Sequence, residues 1–151
     1  MDVRAEVLIH RPVAEVAAYA MDPQNDTGWI GGVRAVTPSQ PPPLRPGHRV
    51  SRVARFLGRR IEYVLEVRRF EPPHLLSMTS VAGPFPMEVT YEFRDAAGGT
   101  QASIVLGGDA TGFFRLAAPL LRAASRRSIV RDLRRLKTIM EAAAPPPVSR
   151  R

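Results

Sequence analysis

The sequence predicts an α+β domain in which an antiparallel sheet packs one face against a long C-terminal helix, leaving a mainly apolar cavity between them. Three observations carry this. Residues 48–109 hold five apolar–polar stretches separated by compact turn signals. Residues 111–144 repeat apolar side chains at helical spacing, and an alternating segment at 3–9 precedes both.

In chain order, Val3, Ala5, Val7 and Ile9 alternate with Arg4, Glu6, Leu8 and His10, the period of a strand with one buried face. Pro12 opens a short helical stretch, Val13 to Ala20, as proline does at a first helical position. Asp22-Pro23-Gln24-Asn25-Asp26 breaks it, a second helical turn carries Trp29, and Val33 to Thr37 form another strand. The proline-rich segment 38–47 is neither helix nor interior strand. It reads as a loop that flanks a functional mouth.

From His48 the chain is a meander, with turns at Gly58-Arg59, Pro72-Pro73, Gly83-Pro84 and 95–99. Two strands have clear faces. Ile61, Tyr63, Leu65 and Val67 oppose Glu62, Val64, Glu66 and Arg68, and Met87, Val89, Tyr91 and Phe93 oppose Glu88, Thr90, Glu92 and Arg94. One face is therefore wet and the other needs a cover. Strands 48–57 and 100–109 do not declare their inward face, so Arg52, Ser103 and Asp109 stand open as inward polar groups. The cover is the C-terminal segment. Ile129, Leu133, Leu136 and Met140 form one stripe, while Phe113, Leu116, Ala117, Leu120 and Ala124 form a second on nearly the opposite side. Pro119, between Phe113 and Ala124, predicts a short turn first and a long helix starting near that proline. Pro145-Pro146-Pro147 ends it.

Composition bounds the function. A chain of 151 residues suits one domain, 1–144, with 145–151 as a disordered basic tail. The absence of cysteine excludes disulfides, thiolate catalysis and thiolate-bound metals. The N-terminus has no apolar stretch behind a basic start and no run reaches a membrane span, so a cytoplasmic protein is expected. Net charge is +8 and pI about 11.3, yet of 22 basic residues only Lys137 is lysine. Arginine, alanine, proline and glycine are abundant together, the bias of a GC-rich genome. With no nucleic-acid motif beside the charge, a nucleic-acid partner is not expected.

The early strand running into Pro12-Val13-Ala14-Glu15-Val16, Asp22-Pro23 with Trp29 following, residues 83–93, Gly98-Gly99-Thr100 and the ending Arg131-Asp132-Leu133-Arg134-Arg135-Leu136-Lys137 resemble, in this order, the START-like superfamily. This is also called the SRPBCC, polyketide cyclase/dehydrase or Bet v 1-like group. The resemblance covers nearly the whole chain. It implies a helix-grip fold of about seven antiparallel strands curled around the final helix, and small apolar ligands such as lipids, polyketides, sterols or quinones. It implies no single chemistry, because one fold hosts many functions.

Two readings apply to the inward residues Ile61, Tyr63, Leu65, Val67, Met87, Val89, Tyr91 and Phe93: plain core, or the wall of a ligand cavity completed by Ala117, Leu120 and Ala124. Tyr63 and Tyr91 either orient a ligand oxygen or bond to each other or to backbone. Trp29, Phe85, Phe113 and Phe114 are expected at the mouth, where the family places it, with Asp109 the one acid kept as a candidate there. The alternative is that these aromatics staple the helix entry. His10, His48 and His74 lack metal-ligand spacing, so no metal and no cofactor is expected. Glu62, Glu66, Glu88 and Glu92 sit with arginines on the wet face, as cross-strand ion pairs do. The helix cations Arg122, Arg126, Arg127, Arg131, Arg134, Arg135 and Lys137 read as a solvated face or as a dock for an anionic surface, membrane or ribosomal RNA.

Three functions follow. The first is binding or transport of an apolar small molecule. The second is a polyketide cyclase, aromatase or dehydratase, which needs an acid or base at the substrate that the clear inward faces lack. The third is an interaction module using the basic helix. Ligand identity and oligomeric state are not specified by the sequence.

Overall fold

The computed structural model describes residues 2–84, 86–108 and 118–142. Its elements are β1 (Val3–Ile9), α1 (Val13–Ala20), a 3-10 turn (Pro23–Asn25), α2 (Asp26–Trp29), β2 (Val33–Pro38), β3 (Arg49–Phe56), β4 (Arg59–Glu71), β5 (Leu75–Ala82), β6 (Glu88–Ala96), β7 (Gly99–Gly107) and α3 (Ala118–Ala142). The seven strands form one antiparallel sheet ordered β1-β7-β6-β5-β4-β3-β2. The α+β helix-grip architecture expected from the sequence is the one observed.

Local chemistry explains the breaks. The Asp22 carboxylate accepts from Gln24 N at 3.0 Å, capping the 3-10 turn that Pro23 begins. The β3–β4 hairpin turns on Leu57 (φ 53°) and Gly58 (φ 77°), one residue earlier than Gly58-Arg59. Two consecutive positive φ values suit a tight primed turn between twisted strands. It pairs Phe56 with Arg59 and hence Arg52 with Tyr63.

On the packed face Val89, Tyr91 and Phe93 are buried and Met87 half-buried, while Glu88 and Arg94 are exposed. On the wet face Glu66 pairs with Arg49 and Glu92 with Arg4 across strands, as expected, whereas Glu66–Arg68 and Glu62–Arg60 are pairs within β4, and no ion pair of Glu88 is seen among the described residues. Helix α3 buries Ile129, Leu133, Leu136 and Met140. It runs along the edge strand β1, whose outward backbone groups need partners. Arg126 Nη1 donates to Arg4 O at 2.8 Å, Lys137 Nζ to Leu8 O at 2.7 Å, and His10 N to Glu141 Oε2 at 2.9 Å. Two of the seven helix cations thus serve the sheet edge. No helix among the described residues is long and apolar enough to cross a membrane.

The proline-rich loop does not flank the cavity described below. Pro42, Pro43 and Leu44 meet α1 and Pro72-Pro73 around a separate surface groove, and Leu44 is anchored in the core at 3 % exposure.

Candidate functional site

The packed face is divided. Toward α1, Leu65, Val67 and Phe93 are sealed into solid core with Leu76 and Met78, at 1 % exposure or less. These three expected wall residues are buried in the common core and are not among the residues that line the cavity described next. Toward the β3–β4 turn, a cavity of about 140 Å³ remains between the sheet and α3. Of the inward positions read from the sequence, Ile61, Tyr63, Met87, Val89 and Tyr91 line it, with Ile104 and Leu106 beside them. Phe56, Ile61, Met87 and Leu106 are half-exposed, whereas Trp29, Arg52, Tyr91 and Asp132 are buried. Exposure therefore distinguishes a mouth from a deep end.

The helix wall differs from expectation. Ser125, Ser128 and Asp132 line the cavity, at i, i+3 and i+7 beside the apolar stripe. Leu120 is 63 % exposed, since nine residues of helix place it about 180° from Ile129. Ala124 is buried but is not part of the wall. Trp29 is not at the mouth either. Helix α2, packed on α3, turns its indole inward to 0 % exposure, 5.5 Å from the Tyr91 ring in an edge-on contact. Phe85, Phe113, Phe114, Asp109 and Ala117 lie outside the described residues.

The deep end is polar. Arg52 donates from Nε (3.1 Å) and Nη2 (2.9 Å) to Asp26 Oδ2, and Nη2 also reaches Tyr91 Oη at 3.2 Å. The Arg52 and Asp26 side chains are 5 % and 3 % exposed. Burial works against the guanidinium charge, but Asp26 and the two tyrosines outweigh it and hold Arg52 well above its ordinary pKa. Burial pushes the Asp26 carboxyl above its ordinary range, and Arg52 opposes that shift. Burial likewise pushes the Tyr91 hydroxyl up to about 12, so it is neutral and protonated at physiological pH. Among the described residues Tyr91 bonds neither to Tyr63 nor to backbone: its oxygen accepts from Arg52, and its proton remains to be donated.

Asp132 faces the cavity from α3. Its Oδ1 accepts from Gly31 N at 2.9 Å, which ties the α2–β2 junction to the helix. Desolvation raises its pKa, against the Gly31 bond and the fields of Arg131, Arg135 and Arg52. Trp29 Nε1 is buried without a hydrogen-bond partner among the described residues. Among the described residues no group of three or more His, Asp or Glu is placed to hold a metal.

Two signals could have located the polar residues. Setting the hairpin at Leu57-Gly58 puts Arg52 opposite Tyr63, and directly opposed residues share a face. The Ser125-Ser128-Asp132 spacing marks a polar strip on the edge of the buried stripe. Asp26 left no such signal, as it sat in a run read only as a helix breaker.

A family model described as polyketide cyclase/dehydrase and lipid transport matches residues 1–141. A search of curated protein sequences finds no significant match. Among solved structures, TTHA0849 from Thermus thermophilus superposes with a TM-score of 0.82 at 21% identity, over 96% of this chain and 100% of that one. The Zhui aromatase/cyclase from Streptomyces sp. R1128 gives 0.80 at 14% identity, over 98% of each chain. DynU16, a protein of the dynemicin biosynthetic locus, gives 0.66 at 21% identity over 95% of this chain and 48% of its own. At these identities the likeness is one of fold.

Proposed function

Because this chain belongs to the polyketide cyclase/dehydrase and lipid transport family, we propose that it binds a compact apolar molecule in the cavity between its sheet and α3. The observation that carries this reading is a largely apolar chamber that the described residues leave unfilled, ending in a buried polar cluster. A core built for stability alone fills such a space, since walls without contact atoms lose dispersion energy. The chamber, about 140 Å³, is close in size to an engineered apolar cavity of roughly 150 Å³ that holds benzene. One ring fits, and a longer ligand such as a lipid or polyketide extends past Phe56, Ile61, Met87 and Leu106. Burying the ring yields about 25 cal/mol per Å² of apolar surface before association costs.

The test is thermal unfolding with a panel of single-ring and two-ring apolar compounds. At a hundredfold excess over Kd, mass action stabilises by about 2.7 kcal/mol, a rise in Tm of roughly 5–10 °C for a domain of this size. Ser128→Trp, which pushes an indole into the chamber, should abolish the shift while the circular dichroism spectrum is kept. If no compound shifts the wild type, the reading fails.

Asp132 favours a second reading, an enzyme of the cyclase or dehydratase type. It is a carboxyl of raised pKa on the cavity wall, close enough to Arg52 to feel its charge. Such an acid either removes a proton beside a carbonyl that Tyr91 and Arg52 polarise, or protonates a departing hydroxyl. Single-turnover assays with a β-hydroxyketone would show water loss in the wild type and none in Asp132→Asn if this reading holds.

A further inference from the structure

We infer that the cavity selects neutral ligands: it accepts a ring bearing a carbonyl group and rejects the matching carboxylate. This rests on the ligand-binding reading above and specifies the class of ligand. Arg52 is the sole cation of the buried end among the described residues, and both donors that face Asp26 end on its Oδ2, so the pair is internally neutral. Asp132 adds a further carboxyl to the wall, and Arg55, the other cation there, is exposed at the mouth with Nη2 on Gly58 O at 3.2 Å. An incoming carboxylate would lose its water without meeting an uncommitted buried positive charge, which is costly. A carbonyl oxygen loses far less water, and two wall residues carry donors that lack acceptors among the described residues. Trp29 Nε1 is fully buried and unpartnered on a residue that lines the cavity. A buried indole N–H ordinarily finds an acceptor. The Tyr91 hydroxyl accepts from Arg52 and still has its proton to give.

Ethylbenzene, acetophenone and benzoate are near-isosteric and differ in the group presented, so calorimetric titration of the full chain near neutral pH separates the terms. Acetophenone should bind about threefold to tenfold tighter than ethylbenzene, the worth of one net hydrogen bond. Benzoate should bind at least about tenfold more weakly than acetophenone. Trp29→Phe should collapse the acetophenone-to-ethylbenzene ratio toward one. Asp26→Asn, which frees the Arg52 charge, should raise benzoate affinity above that of acetophenone, and the wild-type comparison stands alone if this variant does not fold. Benzoate binding as tightly as acetophenone in the wild type overturns the inference, as does an unchanged ratio in Trp29→Phe. If none of the three binds, the ligand-binding reading itself fails, an outcome distinct from binding without selection.

Discussion

Replacing Arg52 by methionine keeps much of the aliphatic stem and removes the charge, so it isolates what the buried pair contributes. Asp26 is then left 3 % exposed with its only ion-pair partner among the described residues gone. Tyr91 Oη loses its donor in the same step. Removing one member of a buried pair costs about 3–5 kcal/mol, which is a large fraction of a typical domain stability of about 5–15 kcal/mol. The cost has a ceiling because Asp26 escapes by taking a proton. With its carboxyl raised in the folded state, the variant binds more protons folded than unfolded, so its stability falls as pH rises. The defect should therefore shrink on acidification by about 1.4 kcal/mol per pH unit until Asp26 is protonated. Urea unfolding at about pH 7.5 and about pH 5.5 measures this. Fluorescence of Trp29, the one tryptophan of the chain, and far-ultraviolet circular dichroism serve as probes. The double variant Arg52→Met, Asp26→Leu should recover to within about 1–2 kcal/mol of wild type, since an apolar pair replaces an ionic one. A loss below about 1 kcal/mol for Arg52→Met, or a loss independent of pH, would refute the account of the deep end.

Asp132 has a raised carboxyl pKa, so its stabilising contribution is complete below the ordinary value of 3.8 and is lost as pH rises through its folded value. Asp132→Asn should flatten that part of the stability–pH curve, and an unaltered slope in chemical denaturation would contradict the assignment. Gly83 stands at φ +143° with an added Cβ only 2.7 Å from Tyr63 Cβ. Gly83→Ala should thus cost about 1–3 kcal/mol in urea titration and disturb the cavity wall. On α3, Leu133→Ala should cost about 2–5 kcal/mol and Leu120→Ser less than about 0.5 kcal/mol, because the first side chain is 1 % exposed and the second 63 %. Equal effects in thermal melts would mean that the helix is rotated from the orientation described.

What the sequence alone determined is what local periodicity encodes. Alternation in β4 and β6 assigned their faces because side chains on a strand reverse at every residue. The Ile129-Leu133-Leu136-Met140 stripe assigned the covering face of α3 because those positions meet on one side of a helix. The order of these elements then carried the fold. The division of the packed face into solid core and open chamber was not legible, because Leu65 and Tyr63 obey the same alternation and differ only in what lies above them. Leu120 and Trp29 were misplaced for a related reason: helix phase and the inward turn of α2 set their exposure, not residue type. The polar end depended on tertiary structure most of all. Arg52 reaches Asp26 across 26 residues of sequence, and Asp132 holds Gly31 across 101. A charged side chain is buried only where a partner compensates its lost hydration. That partner is supplied by the fold, so the chain's pattern could show where the wall runs, while only the folded sheet and helix could decide which charges face into it.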